Sequence, residues 1–141
     1  MADCISPKTL EIYWSSDGSS YTDLSGTFNR IEQPEQNRIT GSVYNFSDDT
    51  ACIGKGKREP VEVTFEIVYD DSATGAFQTL YPYFTNGSDI YLRWHPQGSG
   101  SGSSYTANGP LSNWVYPGGE AASGDPIVCG GRVFTDKIDV A

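Results

Sequence analysis

Strict alternation of apolar and polar residues predicts one clear strand in this chain. From Val61 to Tyr69 every second side chain is apolar, and Glu62, Thr64 and Glu66 lie between them. A period of two places the apolar side chains on one face of a strand and the polar ones on the other. The pattern therefore predicts a strand with one buried face and one polar, acidic face.

Shorter alternating runs predict further strands. They cover residues 9–15, 27–32, 38–46, 89–95, 111–116 and 127–135. In the run 89–95, the apolar residues Ile90, Leu92 and Trp94 should point inward. Two adjacent glycines, Gly130 and Gly131, predict a bulge or a close backbone approach in the last run.

One segment has the spacing of a helix instead. Its apolar residues recur at i, i+3, i+4 and i+7, namely Phe77, Leu80, Tyr81 and Phe84. The polar residues 70–72 are expected to cap this helix, and Asn86-Gly87 to end it. Pro82 should break or kink it because proline removes a backbone hydrogen bond.

Two segments lack any apolar period and are expected to be loops. Residues 47–59 predict a long exposed loop between strands, and the Gly/Ser-rich residues 97–108 predict a flexible one. The order of strands, one short helix and more strands predicts a mainly β fold. We expect one domain, residues 1–141, built as a β-sandwich or barrel with a flanking α-helix.

The charge is strongly unbalanced, with 18 acidic and 9 basic residues and a formal net charge of −9. Such a chain should be soluble and should not attract nucleic acid. Lys55, Lys57 and Arg58 form its only basic cluster.

Neither disulfide bonds nor membrane insertion is expected. The three cysteines, Cys4, Cys52 and Cys129, are far apart and odd in number, which predicts reduced thiols from cytoplasmic synthesis. The first residues do not have the pattern of a signal peptide, and no apolar run is long enough to cross a membrane.

The residue pattern contains no recognisable catalytic set, so we do not expect an enzyme. A single histidine, His95, leaves no zinc set, and no nucleophile elbow is present. The acidic pairs at 48–49 and 70–71 lack a calcium-loop pattern and suit turns or caps better. We therefore expect neither a metal nor another cofactor.

An ordered series of segments resembles the tail tube (major tail) proteins of bacteriophages with long non-contractile tails. The segments that carry the resemblance are 28–35, the predicted loop 47–59, the strand and Tyr-Asp of 61–70, Gly87, Arg93, 96–98, 109–111 and 133–136. A tube-forming protein of a phage-derived injection device would look similar.

This resemblance implies a structural virion protein. It implies six copies in a ring, rings stacked into a tube, strands joined into an inner barrel, and DNA passing through the lumen. It also implies contacts with tape measure, tail tip and tail terminator proteins. The location would be the virion tail, after synthesis in the cytoplasm of the host bacterium.

Two sets of residues are candidates for roles in such a tube. Glu62, Thr64 and Glu66 are candidates to face the lumen, where like charge would keep DNA phosphates from docking. The alternative is that they face bulk solvent.

The predicted loop is the candidate contact between subunits or rings, because a basic segment finds complementary surface on an acidic neighbour. The residues proposed for this contact are Asp48, Asp49, Lys55, Lys57 and Arg58. The alternative is a solvated, mobile loop.

A different class of function is also compatible with the composition. Trp94, Trp114 and nearby tyrosines could form a sugar-binding platform in a monomeric β-sandwich module, although aromatic residues in β proteins are more often in a core or interface.

Overall fold

The computed structural model describes residues 4–47 and 49–141. Within them the chain forms ten strands and one α-helix. In chain order these are β1 (Glu11–Ser15), β2 (Thr22–Asp23), β3 (Phe28–Ile31), β4 (Arg38–Val43), β5 (Cys52–Arg58), β6 (Val61–Val68), α1 (Ala76–Asn86), β7 (Asp89–His95), β8 (Tyr105–Val115), β9 (Val128–Thr135) and β10 (Ile138–Val140). The prediction of a mainly β fold with one short helix is confirmed.

The main sheet is antiparallel, in the strand order β2-β1-β7-β8-β9-β6-β3. The first half of β8 pairs with β7 and with β10, and its second half pairs with β9. The register with β9 shifts between Leu111 and Asn113, so that Ser112 is an extra residue on β8. Such a bulge bends a strand, and β8 thereby links the two layers of a sandwich-like fold.

Strand β6 has the burial that its alternation predicts. Val61, Val63, Phe65 and Ile67 are buried, and the residues between them lie on the outer face. The inward set of β7, Ile90, Leu92 and Trp94, is buried in the same core cluster as Val63, Phe65 and Ile67.

Helix α1 covers one side of this core, mainly against β8. It ends at Gly87, whose φ of 75° is left-handed and whose N–H donates to the Tyr83 carbonyl at 3.1 Å, as predicted. Two details differ from the prediction. Pro82 does not break the helix, which continues to Asn86, and the N-cap is Gly75 rather than one of residues 70–72. Asp70 instead accepts hydrogen bonds from Ser72 within its own turn.

The packing of α1 gives a stability prediction. Leu80 is fully buried in the core cluster. Leu80→Ala should lower the free energy of unfolding by about 3 kcal/mol, because it removes transfer energy and leaves a cavity. Urea titration measures this loss. Gln78→Ala, on the exposed side of the same helix, is the matched control and should cost far less.

Both predicted loops need correction. Residues 52–58 form strand β5, which pairs with β4 in a separate two-stranded sheet. The second loop is shorter than predicted because β8 begins at Tyr105. In this glycine-rich turn, Gly98, Gly100 and Gly102 have φ values of 85°, 83° and 67°, which suit glycine. Strand β10 was not predicted at all.

Candidate assembly surface

The most unusual surface of the chain is the hairpin formed by β4 and β5. Every described residue in these two strands is exposed. The hairpin nevertheless carries large apolar side chains, which are Ile39, Val43, Tyr44, Phe46 and Ile53. A two-stranded hairpin is only marginally stable in water when no face is packed. This hairpin therefore has the composition of an interface, and no part of the chain that the structure describes covers it.

Gln36 fixes the base of the hairpin to the sandwich. Its amide Nε2 donates to the carbonyl of Glu59 at 3.0 Å and to the carbonyl of Asp136 at 2.8 Å. The backbone N–H of Glu59 also donates to the Asn37 carbonyl at 2.7 Å. These bonds hold the hairpin at the end of the sandwich where β6 begins.

The hairpin bears unbalanced positive charge. Arg38 and Arg58 lie directly opposite each other in the register, an arrangement of like charges that destabilises a strand pair. None of the ion pairs formed between described residues includes Lys55, Lys57 or Arg58. An acidic surface from outside the hairpin would stabilise this cluster.

Gly56 allows the backbone of β5 to approach β4 closely. A Cβ atom there would lie 2.7 Å from the Ile39 carbonyl oxygen, beside the register shift between Arg38 and Thr40. Only glycine fits such an approach without a shift.

The structure assigns most of the predicted contact residues to the hairpin. Lys55, Lys57 and Arg58 lie on β5, and Asp49 lies exposed between β4 and β5. Asp48 lies outside the described residues. The basic contact set is thus carried on a paired strand rather than on a loop, and its role in assembly stays a prediction.

The predicted lumen residues share one face of β6, but that face has mixed charge. Glu66 Oε2 lies 3.7 Å from an Arg30 nitrogen, and Glu62 Oε2 lies 3.5 Å from Arg132. Thr64 pairs in register with Arg132. These neighbours were not visible from the alternation of β6 alone. They weaken the expectation of a uniformly acidic face, while the lumen position itself stays a prediction.

The tryptophans of the alternative sugar platform are in the core. Trp94 and Trp114 are only 7% and 6% exposed. Trp114 packs among the rings of Phe65, Phe77, Tyr81 and Phe84. A stacking platform needs exposed ring faces, so the proposal that these two residues bind sugar is wrong.

Several titratable side chains outside the hairpin have local structural roles. Burial raises the pKa of the Cys129 thiol to about 11, so this thiol is neutral at pH 7. His95 packs edge-on against Tyr13, with ring centroids 5.3 Å apart. The hydrogen bond from Tyr13 lowers the pKa of Glu11. The described residues contain no cluster of three potential metal ligands.

No helix in the described part of the chain combines the length and the apolar character needed to cross a membrane. Neither a protein-family model nor a curated protein matches the sequence.

Solved structures share the fold over nearly the whole chain. A chain of the anti-feeding prophage baseplate, reconstructed with sixfold symmetry, has a TM-score of 0.79 at 8% identity and covers 100% of this chain and 97% of its own length. A chain of the cap that terminates the anti-feeding prophage tube has a TM-score of 0.73 at 12% identity. The match covers 100% of this chain and 93% of that one.

A third chain comes from the sheath/tube terminator of PVC, an extracellular contractile injection system in its extended state. Its TM-score is 0.71 at 12% identity, and the match covers 99% of this chain and 98% of that one. At such low identities these similarities show a common fold. The fold is thus one found in components of phage-tail-like injection particles.

Proposed function

We propose that this protein is a structural subunit of a phage tail or of a tail-derived injection particle. In this proposal, copies associate into rings, and the rings stack into a tube that conducts cargo. The observation that carries the proposal is the exposed hairpin, whose apolar and basic residues have no partner surface within the described part of the same chain.

Charge supports association between identical copies. Residues 38–58 contain four basic and two acidic residues, a net charge of +2, whereas the rest of the chain has a net charge of −11. A hairpin and a body of opposite charge attract each other between copies. Binding through two different surfaces repeats from copy to copy and so builds rings or filaments.

The fold supports the same proposal. The matched chains come from tube-terminating and baseplate assemblies, one of them reconstructed with sixfold symmetry. We therefore propose six copies per ring. These neighbours belong to contractile systems, so they lend no support to a non-contractile tail, and the proposal concerns the tube subunit rather than the tail type.

If the protein forms a tube, its cargo, its partners and its location follow. DNA would pass through the lumen without docking, and the tube would meet tape measure, tail tip and tail terminator proteins. The protein would be non-enzymatic and would reside in the particle's tail after synthesis in the host cytoplasm.

Assembly is tested by negative-stain electron microscopy and sedimentation velocity over a concentration series. We expect rings or hollow tubes of uniform width to appear as concentration rises. Particles that keep the monomer mass of 15.3 kDa at every concentration would refute spontaneous self-assembly.

A further inference from the structure

The hairpin and a second exposed apolar surface lie at opposite ends of the sandwich. The hairpin base adjoins the start of β6, where Val61 pairs with Thr135. Strand β6 then runs to Val68, which pairs with Val128. Seven residue steps in a strand cover roughly 23 Å, so these ends are well separated.

The second surface, which we call the terminal patch, consists of Val68, Val115, Ile127 and Val128. The first three are 37%, 57% and 46% exposed. Gly130 pairs with Val115 on one side and with Glu66 on the other. Because Gly130 has no side chain, no side chain projects between Val115 and β6, and the patch is flat there.

Carboxylates adjoin the terminal patch on the side of its loops. Asp70 follows Val68 by two residues, and Asp125 precedes Ile127 by two residues. Glu120 and Asp125 line a surface depression of about 730 Å³ together with Ile127 and Val128. No ion pair between described residues includes Asp70, Glu120 or Asp125.

We propose that the terminal patch is the docking surface for the hairpin of a second copy of this chain. This inference rests on the proposed function and adds the identity of the surface that the hairpin meets. Apolar hairpin residues such as Val43 and Ile53 would cover the patch, and Lys55, Lys57 and Arg58 would face the carboxylates beside it.

Two observations favour a second copy as the occupant. The basic, apolar hairpin and the acidic, apolar patch are complementary in both respects, and each chain carries one of each. The hairpin is attached at the opposite end of the sandwich from the patch and is exposed throughout, so it does not cover the patch of its own chain. The contact is therefore made head to tail between copies, and it propagates along a stack.

Cross-linking tests this contact with a natural thiol. Cys52 is exposed near the tip of the hairpin, and Cys129 is buried. In a Cys4→Ser background, Ile127→Cys adds a thiol to the terminal patch. Treatment of assembled protein with a short bis-maleimide should give a ladder of dimers, trimers and larger species on a denaturing gel.

Two controls make the ladder specific. The ladder should vanish when Cys52→Ser is added, because Cys52 supplies one end of each link. Thr22→Cys, on exposed strand β2 of the other layer, should give roughly tenfold less product, because its thiol has a much lower effective concentration near the hairpin.

The outcomes separate the two proposals. If the Ile127→Cys protein assembles but gives no ladder, or no more product than Thr22→Cys, the docking surface is wrong and self-assembly stands. If the wild-type chain stays monomeric at every concentration and no ladder forms, both proposals are wrong. A ladder that requires Cys52 and Ile127→Cys supports both.

Discussion

Gly109→Ala should strongly destabilise the protein. A Cβ atom at Gly109 would lie 1.9 Å from the Phe134 carbonyl oxygen and 3.0 Å from its carbonyl carbon. That obstacle is backbone within a paired strand, so no side-chain rotation relieves the overlap. We expect a loss of about 3 kcal/mol, at the upper end of the cost of overpacking a core.

Thermal unfolding measures this effect. For a chain of this size, such a loss should lower Tm by roughly 10 °C. Gly26→Ala is the matched control, because a Cβ atom there meets no heavy atom within 4 Å and its φ is not left-handed. Equal Tm values for the two variants would show that β8 and β9 separate more easily than their packing indicates.

The glycines show how far local sequence predicts backbone contacts. The pair Gly130-Gly131 predicted a close approach, and the structure confirms it, since a Cβ at Gly130 would lie 2.2 Å from the Phe65 carbonyl oxygen. Gly109 carried no such signal because it stands alone before a proline. Its constraint comes from β9, which is distant in sequence.

Burial of one face made most strands predictable, although β4 was also predicted and is exposed throughout. Burial on one side imposes the alternation seen in β6, and the same reasoning located β7. Strand β5 has no buried residue. Packing therefore imposes no alternation of apolar and polar side chains on residues 52–58. Its existence depends on pairing with β4, which a single segment of sequence does not reveal.

The candidate site was only partly predictable for the same reason. The cluster of Lys55, Lys57 and Arg58 is visible in the sequence. The terminal patch is not, because it joins β6, β8 and β9 through their register. The ion pairs that Arg30 and Arg132 make with Glu66 and Glu62 also depend on this register.

Reversing the charge of the hairpin should have the largest effect on assembly. Replacing Lys55, Lys57 and Arg58 with glutamate changes the net charge of residues 38–58 from +2 to −4. The hairpin would then repel an acidic neighbour. If each lost contact costs about 1 kcal/mol, the upper end for exposed ion pairs, three such contacts weaken association by roughly a hundredfold.

Sedimentation velocity and electron microscopy of this triple variant give the answer. We expect monomers at concentrations where the wild-type chain forms rings or tubes, with little change in Tm, because these side chains are exposed and make no ion pair among the described residues. Assembly at the normal rate would contradict an interface role for the hairpin.

A matched variant separates a specific contact from the effect of net charge. Asp23→Lys with Asp89→Lys adds positive charge on exposed positions of β2 and β7, which belong neither to the hairpin nor to the terminal patch. Combining it with the triple variant partly restores the net charge of the whole chain without restoring the hairpin. If assembly depends on the hairpin, the combined variant stays monomeric. If overall charge alone governs association, it regains rings, and the basic strand β5 has no specific role.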